Sequence, residues 1–589
     1  MSSRKNFFLL QTALALGAAL PAHAVKSAPD DHFKVLYSKD WSWRIAQRLE
    51  EDEDQVAALK HISPQLAKVD AATQQARLQH WMGVMKQLDT IQPSSLAPEE
   101  RVNYSIFRSQ IQVLINRQKF HEYEKPLNAD TGFWSLLTVT ALRPFHTVED
   151  YTNYIQQLND FPRYFQEEIV NMRTGLKRGF TPPKVTLLGR DESIAVVANA
   201  KKPEDVVFYT PFRNMPASIP PDEQAKLRDQ GVAAIRQSVI PAHAELLKFM
   251  RAEYIPGART ALAAEALPDG KAYYQSLIVE DTTTHLTPSQ IHQIGLDEIA
   301  KIHKEMLDTM KQTGFKGDFP AFLHFLRTDP RFYAKTPQEL LMQAASIAKD
   351  FDGKASQYFG YLPRMRFGIY PVPAAEAPFY TSARGGPGKY LVNTYDLPSR
   401  GLYSLPALTL HESAPGHAFQ MPINMEQKNL PPFRQVYIDA YGEGWALYCE
   451  RLGTEMGMYH TPYEYFGMLS YQAWRAARLV VDTGIHSQGW TREQAQQYFR
   501  DNTALADHEI QTEVDRYISW PAQALSYYLG QMAIWKARHK AEAALGSKFN
   551  IRAFHDTVLS MGSVPLDVLE QRIDLFIAQG GKGPYPDME

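Results

Sequence analysis

The feature that most constrains the fold is a pair of histidines separated by proline and glycine, at residues 411–417 (HESAPGH). Six positions separate His411 from His417, so a regular α-helix would point their side chains about 120° apart. One ion can bind both imidazoles only if the chain departs from that helix, and Pro415 and Gly416 permit such a departure. The spacing therefore predicts a widened or kinked turn that brings His417 back beside His411.

The residue types around this segment are typical of a catalytic zinc site, in which protein nitrogen and oxygen ligands leave one position open for water. We predict His411 and His417 as two ligands, and Glu412 as the general base that deprotonates the water. Glu443, in the later segment GEGWALYCE, is the candidate third ligand, because its flanking glycines would allow another backbone to approach. Glu450 lies two helical turns further on and is predicted to orient a ligand.

A second interpretation of these residues stays open. The two histidines could be ordinary polar residues at a helix end, and the two glutamates could be solvated surface charges. Trp445, Leu447 and Tyr448 lie between the glutamates and favour a buried helix instead.

The N-terminus has the pattern of an export signal. Arg4 and Lys5 precede an apolar run over residues 7–20, and residues 22–24 (AHA) resemble a cleavage site. The run is short for a membrane span of about 20 residues, so residues 1–24 are predicted to be removed. The mature protein is expected in the periplasm or outside the cell, without a membrane span. The net charge of −3 disfavours nucleic acid as a partner.

Helical patterns fill most of the remaining chain. Residues 25–280 are predicted to form an N-terminal helical part and residues 281–589 a metal-binding part, the two together making one unit. Within the N-terminal part, a proline-rich stretch over residues 180–222 is predicted to be an ordered connection between helical segments. A long helix is predicted to begin at Thr287, which has a proline at the next position and a capping-box glutamine, and to end at Gly314.

One block, residues 364–400, has the composition of β-strands around the glycine-rich segment 384–388. We expect a hairpin or edge strand beside the metal site, and such an edge can bind an extended peptide as an additional strand. Arg384, Tyr390 and Asn393 are therefore candidate substrate-binding residues. A ribbon with a purely structural role is the alternative.

Two segments near the C-terminus offer further polar groups. His486 is predicted to bind substrate or the oxyanion, with its tautomer fixed by Asp482, on a helix that breaks near Gly484. Tyr527 and Tyr528 are candidate donors to the oxyanion, and because they are adjacent, at most one is expected to face the site.

Arg516 and Gln523, which precede these tyrosines, are candidate substrate-binding residues. An arginine can hold a carboxylate through two hydrogen bonds. Core packing and buried salt bridges would give the same pattern. Cys449 is the single cysteine; its apolar surroundings predict a buried residue without a chemical role.

The assembled motifs resemble those of the bacterial family called domain of unknown function 885, over about residue 40 to the end. The resemblance rests on H-E-x-x-P-G-H, E-G-W-A-L-Y, D-T-G-I-H and R-Y-x-x-W-P-x-Q-A, at residues 411–417, 443–448, 482–486 and 516–524. It also takes in the segments FHD and GSVPL near the C-terminus. Family members often have a second histidine directly after P-G-H, where this chain has Ala418.

That family in turn looks like a distant relative of helical zinc peptidases such as oligopeptidases and angiotensin-converting enzyme. The resemblance implies a mainly α-helical, zincin-like fold around a deep channel, with a small β ribbon at the active site. It also implies His411, His417 and Glu443 as ligands of Zn²⁺ and Glu412 as general base.

We therefore expect a secreted zinc hydrolase, a metallopeptidase or carboxypeptidase that cleaves short peptides. The alternatives are a zinc hydrolase of esters or non-peptide amides, and an exported peptide-binding protein without catalysis. The sequence indicates neither the oligomeric state nor the preferred side chains.

Overall fold

The computed structural model describes residues 28–48, 61–129, 131–374, 377 and 380–585, and most of these residues are helical. The predicted signal sequence, residues 1–24, lies outside these ranges. The helices of the first half are α1 (Ala28–Gln47), α2 (Ala71–Leu88), α3 (Pro98–Lys119), α4 (Phe133–Leu142), α5 (Val148–Asn159), α6 (Phe161–Arg178), α7 (Glu192–Ala198), α8 (Thr210–Arg213), α9 (Pro221–Ala234), α10 (Ile240–Phe249), α11 (Ile255–Gly257) and α12 (Gly270–Thr282). Two π-helical turns, Ile235–Val239 and Met250–Tyr254, join α9, α10 and α11 into one long rod.

The helices of the second half include all those that carry the candidate site. They are α13 (Pro288–Gln312), α14 (Phe319–Thr328), α15 (Pro337–Tyr358), α16 (Leu405–Glu412), α17 (His417–Glu426), α18 (Asp439–Leu452), α19 (Pro462–Gln488), α20 (Arg492–Asn502), α21 (Asp507–Ser519), α22 (Ser526–Leu545), α23 (Ile551–Leu559) and α24 (Leu566–Ala578). The most deeply placed is α19, in which every residue from Phe466 to His486 is buried.

The predicted start of α13 is confirmed. The Thr287 hydroxyl oxygen accepts a hydrogen bond from the backbone N–H of Gln290, and the Gln290 side chain accepts one from the N–H of Thr287. These two bonds satisfy N–H groups that have no partner within the helix. Gly314 follows the helix with φ of 73°, a left-handed conformation that glycine adopts without strain.

A small three-stranded sheet occupies the predicted β block. Its strands are β1 (Gly368–Pro371), β2 (Ala383–Gly386) and β3 (Lys389–Val392), in the order β1-β3-β2. β3 pairs with β1 in parallel and with β2 in antiparallel orientation. The prediction of a hairpin is thus confirmed, but the glycine-rich segment forms strand β2 itself as well as the turn. Within the described part of the chain, no strand pairs with the outer edge of β2.

The hydrophobic cores do not divide at residue 280. One core joins the N-terminal helices to the C-terminal half, where the rings of Phe107 and Phe433 lie 5.1 Å apart. A second core extends from Phe180 to Leu529, and only the third is confined to residues before 259. The two predicted parts therefore share their cores and form one unit.

Helices α18 and α22 cross in backbone contact. A Cβ atom added to Gly444 would lie 2.5 Å from the Cα and carbonyl carbon of Gly530. This contact fixes the position of the neighbouring Glu443. Cys449, further along α18, is fully buried, as its apolar surroundings predict. Among the helices described, none combines the length and hydropathy needed to span a lipid bilayer.

Candidate metal centre

The two histidines of the HESAPGH segment lie side by side, as predicted. Their ring centroids are 4.9 Å apart and their planes are nearly perpendicular, at 85°. The chain achieves this by ending α16 at Glu412 and starting α17 at His417, rather than through one widened turn. Gly416 makes the return possible, because a Cβ at that position would overlap the carbonyl oxygen of His411.

Glu443 completes a group of three potential ligands. One ligand atom from each of His411, His417 and Glu443 lies within 4.8 Å of the other two. Oε2 of Glu443 is 3.4 Å from Nε2 of His411 and 3.3 Å from Nε2 of His417. Ligand atoms bonded at about 2.0–2.1 Å to a tetrahedral zinc are about 3.4 Å apart, so these separations match such an ion.

The three atoms are close without being hydrogen-bonded. Oε2 of Glu443 is buried and has no partner with hydrogen-bond geometry, although two ring nitrogens lie within 3.5 Å. A buried carboxylate oxygen without a donor is costly, and a bound cation would remove that cost. The donor set, two imidazoles and one carboxylate, therefore fits a zinc ion.

Glu450 orients the first histidine. Nδ1 of His411 donates to Oε1 of Glu450 at 2.8 Å, so in the neutral ring Nε2 carries the lone pair that faces Glu443. Burial alone would lower the pKa of His411, but Glu443 and Glu450 outweigh it and raise that pKa to about 9. Behind Glu450, Nη2 of Arg475 lies 3.4 Å from the same carboxylate oxygen.

The candidate general base is fixed by the β ribbon. Oε2 of Glu412 accepts a hydrogen bond of 2.6 Å from the backbone N–H of Gly385 in β2. In the β2–β3 pair, Gly385 lies opposite Tyr390, yet its N–H points away from β3 towards Glu412. The outer edge of β2 therefore faces Glu412, which adjoins the candidate ligand His411. Arg384, the neighbouring residue on β2, is exposed.

Of the two adjacent tyrosines, only Tyr527 lies at the candidate centre. Its ring is nearly parallel to that of His411, at an interplanar angle of 16° and a centroid separation of 6.4 Å. The guanidinium of Arg478 covers this ring, 4.3 Å from its centroid. Tyr528 points elsewhere, because its hydroxyl donates to Glu298 at 3.0 Å.

Arg516 and Gln523 reach the rim of the centre through a chain of hydrogen bonds. Nη1 of Arg516 donates to Oε1 of Gln523 at 2.9 Å, and Nε2 of Gln523 donates to Asp439 at 3.1 Å. Asp439 lies one turn before Glu443 on α18. Burial and the charge of Glu443 raise the pKa of Asp439 to about 6.

Sequence reasoning missed Tyr437, which lies just before α18. Its ring centroid is 6.4 Å from that of His417, and its hydroxyl lies against Gly442, where any Cβ would overlap it. Burial, then the charges of Glu443 and Asp439, raise the pKa of Tyr437 well above its usual value. Glycine at 442 was a visible signal that something approaches closely, but not that the neighbour is a tyrosine side chain.

Four predicted site residues are bonded within the protein, away from the candidate centre: His486, Asp482, Tyr390 and Asn393. The prediction for His486 is corrected, because Nδ1 accepts from the backbone N–H of Ala264 and Nε2 donates to the carbonyl of Tyr517. Burial lowers the pKa of His486 to about 3, so the ring is neutral and both nitrogens are occupied. Asp482 accepts from the Tyr274 hydroxyl at 2.5 Å rather than from His486. Helix α19 also continues through Gly484, where a break was predicted.

Tyr390 and Asn393 of the ribbon are likewise buried and occupied. Tyr390 is fully buried, with its hydroxyl 3.3 Å from that of Thr409. Nδ2 of Asn393 donates to three backbone carbonyls in the loop before β2, those of Ala377, Tyr380 and Thr381. Both residues brace the ribbon and are not available to a substrate in this structure.

Comparisons with known proteins identify similar chains of unknown function. The family model described as "Bacterial protein of unknown function (DUF885)" matches residues 56–573. The crystal structure of "the putative lipoprotein from Colwellia psychrerythraea" is similar, with a TM-score of 0.80 and 26% identity over 94% of this chain and 99% of that chain. A "putative lipoprotein of unknown function from Shewanella oneidensis" has the same fold, with a TM-score of 0.65 and 17% identity over 93% and 99% of the two chains. No curated protein matches this sequence.

Proposed function

The chain belongs to the bacterial DUF885 family, and from this premise we propose that it is a zinc-dependent hydrolase that cleaves short peptides. The single observation that carries the proposal is the convergence of His411, His417 and Glu443 on one point, at separations that suit a tetrahedral ion. A bound zinc would supply a Lewis acid and lower the pKa of a coordinated water to about 7.

Glu412 would take the proton from the attacking water. Its carboxylate is next to His411 in sequence, is partly exposed, and is held at Oε2 by the Gly385 N–H. Oε1 is left to accept the proton and pass it to the leaving amine. A carboxylate held in this way loses little freedom in the reaction, which supports a role as general base.

The outer edge of β2 supports a peptide as substrate. It is one of the two edges of the sheet, and it lies against Glu412 at Gly385. An extended peptide can bind such an edge through backbone hydrogen bonds, which leaves its side chains free to differ. This arrangement would present a peptide bond to the ligands without requiring a particular sequence.

Tyr437 is the better candidate to stabilise the oxyanion. Its hydroxyl has no hydrogen-bond partner among the described residues, and the charges that raise its pKa include both Glu443 and Glu412. The hydroxyl of Tyr527 interacts with Gln523 instead. A phenol kept in its protonated form by burial can donate to negative charge that develops on a substrate carbonyl.

The test is metal content together with peptide hydrolysis. We expect about one zinc per chain in the purified protein, lost in His417→Ala and retained in His460→Ala, a matched change at an exposed histidine. Glu412→Gln should keep zinc and lose at least about a hundredfold in kcat on a peptide library. Wild-type protein that binds no zinc after reconstitution would refute the proposal. A zinc-containing protein that cleaves esters but not peptides would show that its substrates are esters.

We also propose that the protein is exported to the cell envelope. The N-terminal pattern at residues 1–24 supports export, and so does the similarity to the chain described as "the putative lipoprotein from Colwellia psychrerythraea". Fractionation of cells that produce the full chain should place it in the soluble periplasmic or secreted fraction, and mass spectrometry should show that residues 1–24 have been removed.

A further inference from the structure

A cavity with both polar and apolar walls lies at the end of the ribbon where Ser382 precedes β2 and Val392 ends β3. Its walls include Ser382, just before β2, Leu408 of α16, Tyr471 of α19 and Glu509 of α21, together with Arg400. None of the three proposed zinc ligands lines it. The interior volume is about 60 Å³. Because one water needs about 10–15 Å³ by this measure, the cavity has room for about four to six waters.

Two opposite charges face this cavity without forming a direct ion pair. The hydroxyl of Ser382 lies between them: it donates to Oε1 of Glu509 at 2.8 Å and accepts from Nη1 of Arg400 at 3.0 Å. Among the described residues, this hydroxyl is the one hydrogen-bond partner of either charged group. The guanidinium and the carboxylate each keep hydrogen-bonding capacity that the protein does not use.

Several other polar groups around the cavity already have hydrogen-bond partners in the protein. The hydroxyls of Tyr333 and Ser404 donate to the carbonyls of Leu326 and Gly401, both at 2.9 Å. Arg327 donates to backbone carbonyls of the loop before α21. The charged groups that remain for a ligand are therefore one cationic donor and one anionic acceptor.

Glu509 in particular lacks compensation for its burial. Burial raises the pKa of Glu509, and the positive charge of Arg400 and the Ser382 hydrogen bond oppose this only in part. A ligand ammonium near the carboxylate would favour its ionised form, and a ligand carboxylate would complete the hydrogen bonds of Arg400. A ligand with both charges would satisfy both groups at once.

We propose that this cavity binds a free α-amino acid with a small side chain, through its ammonium on Glu509 and its carboxylate on Arg400. Size sets the side chain, because glycine has five non-hydrogen atoms and alanine six, close to the number of waters for which there is room. Peptide hydrolysis releases such molecules, so the ligand would be a product class of the proposed function. The site itself does not depend on zinc.

The test is calorimetric titration of the His417→Ala protein, which lacks a proposed zinc ligand, with glycine and L-alanine. We expect both to bind, whereas glycinamide, which has no carboxylate, and N-acetylglycine, which has no ammonium, should bind at least about tenfold more weakly. L-leucine should also bind weakly because its side chain exceeds the cavity. Saturation-transfer NMR extends the measurement to weak complexes.

Variants identify the site. Arg400→Gln and Glu509→Gln should each weaken glycine binding at least about tenfold. Arg366→Gln and Glu192→Gln, changes at exposed side chains of the same types, should not affect it. If Arg400→Gln does not fold, Ser382→Ala replaces it: without the bridging hydroxyl the two charges can pair directly, and binding should weaken.

Two outcomes would overturn the amino-acid site. One is that glycine does not bind at the highest concentration that calorimetry and NMR can measure. The other is that glycine and its singly charged analogues bind equally. Either leaves the zinc proposal untouched, because the protein used has lost His417. Conversely, glycine binding by a wild-type protein that contains no zinc would support this site while refuting the proposed hydrolase.

Discussion

At the scale of single residues, removal of one hydroxyl group tests whether Tyr437 or Tyr527 donates to the oxyanion. Tyr437→Phe removes only that oxygen, so kcat for peptide hydrolysis should fall about 100- to 1,000-fold while KM changes little. The reason is that the hydroxyl is expected to act on charge that appears only in the transition state. Steady-state kinetics on one peptide substrate, with zinc content determined in parallel, measures the effect.

Tyr528→Phe is the matched control, because the Tyr528 hydroxyl bonds to Glu298 away from the ligands. It should leave kcat within about twofold of wild type, as expected for a change that touches no reacting group. A larger loss of kcat in Tyr527→Phe than in Tyr437→Phe would contradict the assignment and favour Tyr527, one of the two tyrosines predicted from the sequence.

Glu450 would act on a bound zinc through His411. Glu450→Ala removes the acceptor of the Nδ1 hydrogen bond, so the ring can rotate or change tautomer, and zinc affinity should fall about 10- to 100-fold. Competition with a chromophoric chelator measures this affinity. Glu570→Ala, at a partly exposed residue paired with Lys536, should leave it unchanged. Equal zinc affinity in Glu450→Ala and wild type would show that packing alone orients the histidine.

The sequence predicted that the two candidate histidine ligands lie side by side because that signal is local, and it failed where a residue's role depends on distant partners. Residues 411–417 contain both histidines and the proline and glycine that bring them together. His486, in contrast, is occupied by Ala264 and Tyr517, which lie 222 and 31 positions away. No pattern within one helix shows such partners, and the same is true of the buried amide of Asn393.

At the scale of secondary-structure elements, the α18–α22 crossing links stability to the metal centre. Gly444→Ala would force a methyl group against the backbone of Gly530, so the helices must separate. We expect a loss of about 1–3 kcal/mol in the free energy of unfolding, as for overpacked cores, and weaker zinc binding because Glu443 moves. Denaturant unfolding and chelator competition measure the two effects.

Gly83→Ala provides a control in an exposed helix. Gly83 lies inside α2, and an added Cβ meets no atom within 4 Å. Alanine is the better helix former there, so the free energy of unfolding should rise by about 0.5–1 kcal/mol. A Gly444→Ala protein that is as stable as wild type would mean that the crossing tolerates a wider separation than this contact indicates.

At the scale of the whole molecule, its elements differ in how well the sequence predicted them. The start of α13 follows from Thr287 and Gln290 alone, since both capping partners are within four residues. The sharing of a core between α3 and the C-terminal half, through Phe107 and Phe433, has no local signal. The sequence predicts two parts that meet near residue 280 and make one unit, but it does not indicate which side chains of the two parts pack together.

A buried acid in the N-terminal half should make stability depend on pH. Glu168 on α6 is 5% exposed, and burial raises its pKa to about 8, against an ordinary value of 4.5. Tyr164, Asn171 and Arg77 oppose this shift, and Glu167 adds to it. The folded chain thus holds a proton that the unfolded chain releases between these two values. Stability from this group is present below about pH 4.5 and is lost as pH rises through about 8.

Glu168→Gln should remove this dependence, because the amide has a similar shape and can keep the hydrogen bonds but cannot ionise. One unit of pKa shift corresponds to about 1.4 kcal/mol, so we expect the variant to be more stable than wild type by at least about 1 kcal/mol at pH 9 and nearly equal at pH 5. Denaturant unfolding at both pH values measures the difference. Zinc-free protein is used, so that loss of metal at one pH does not contribute to it.

Glu192→Gln, at a side chain that is 74% exposed, should show no such pH-dependent gain in stability. A stability gain for Glu168→Gln that is the same at pH 5 and pH 9 would mean that the carboxyl group keeps an ordinary pKa, because only its proton distinguishes the two conditions.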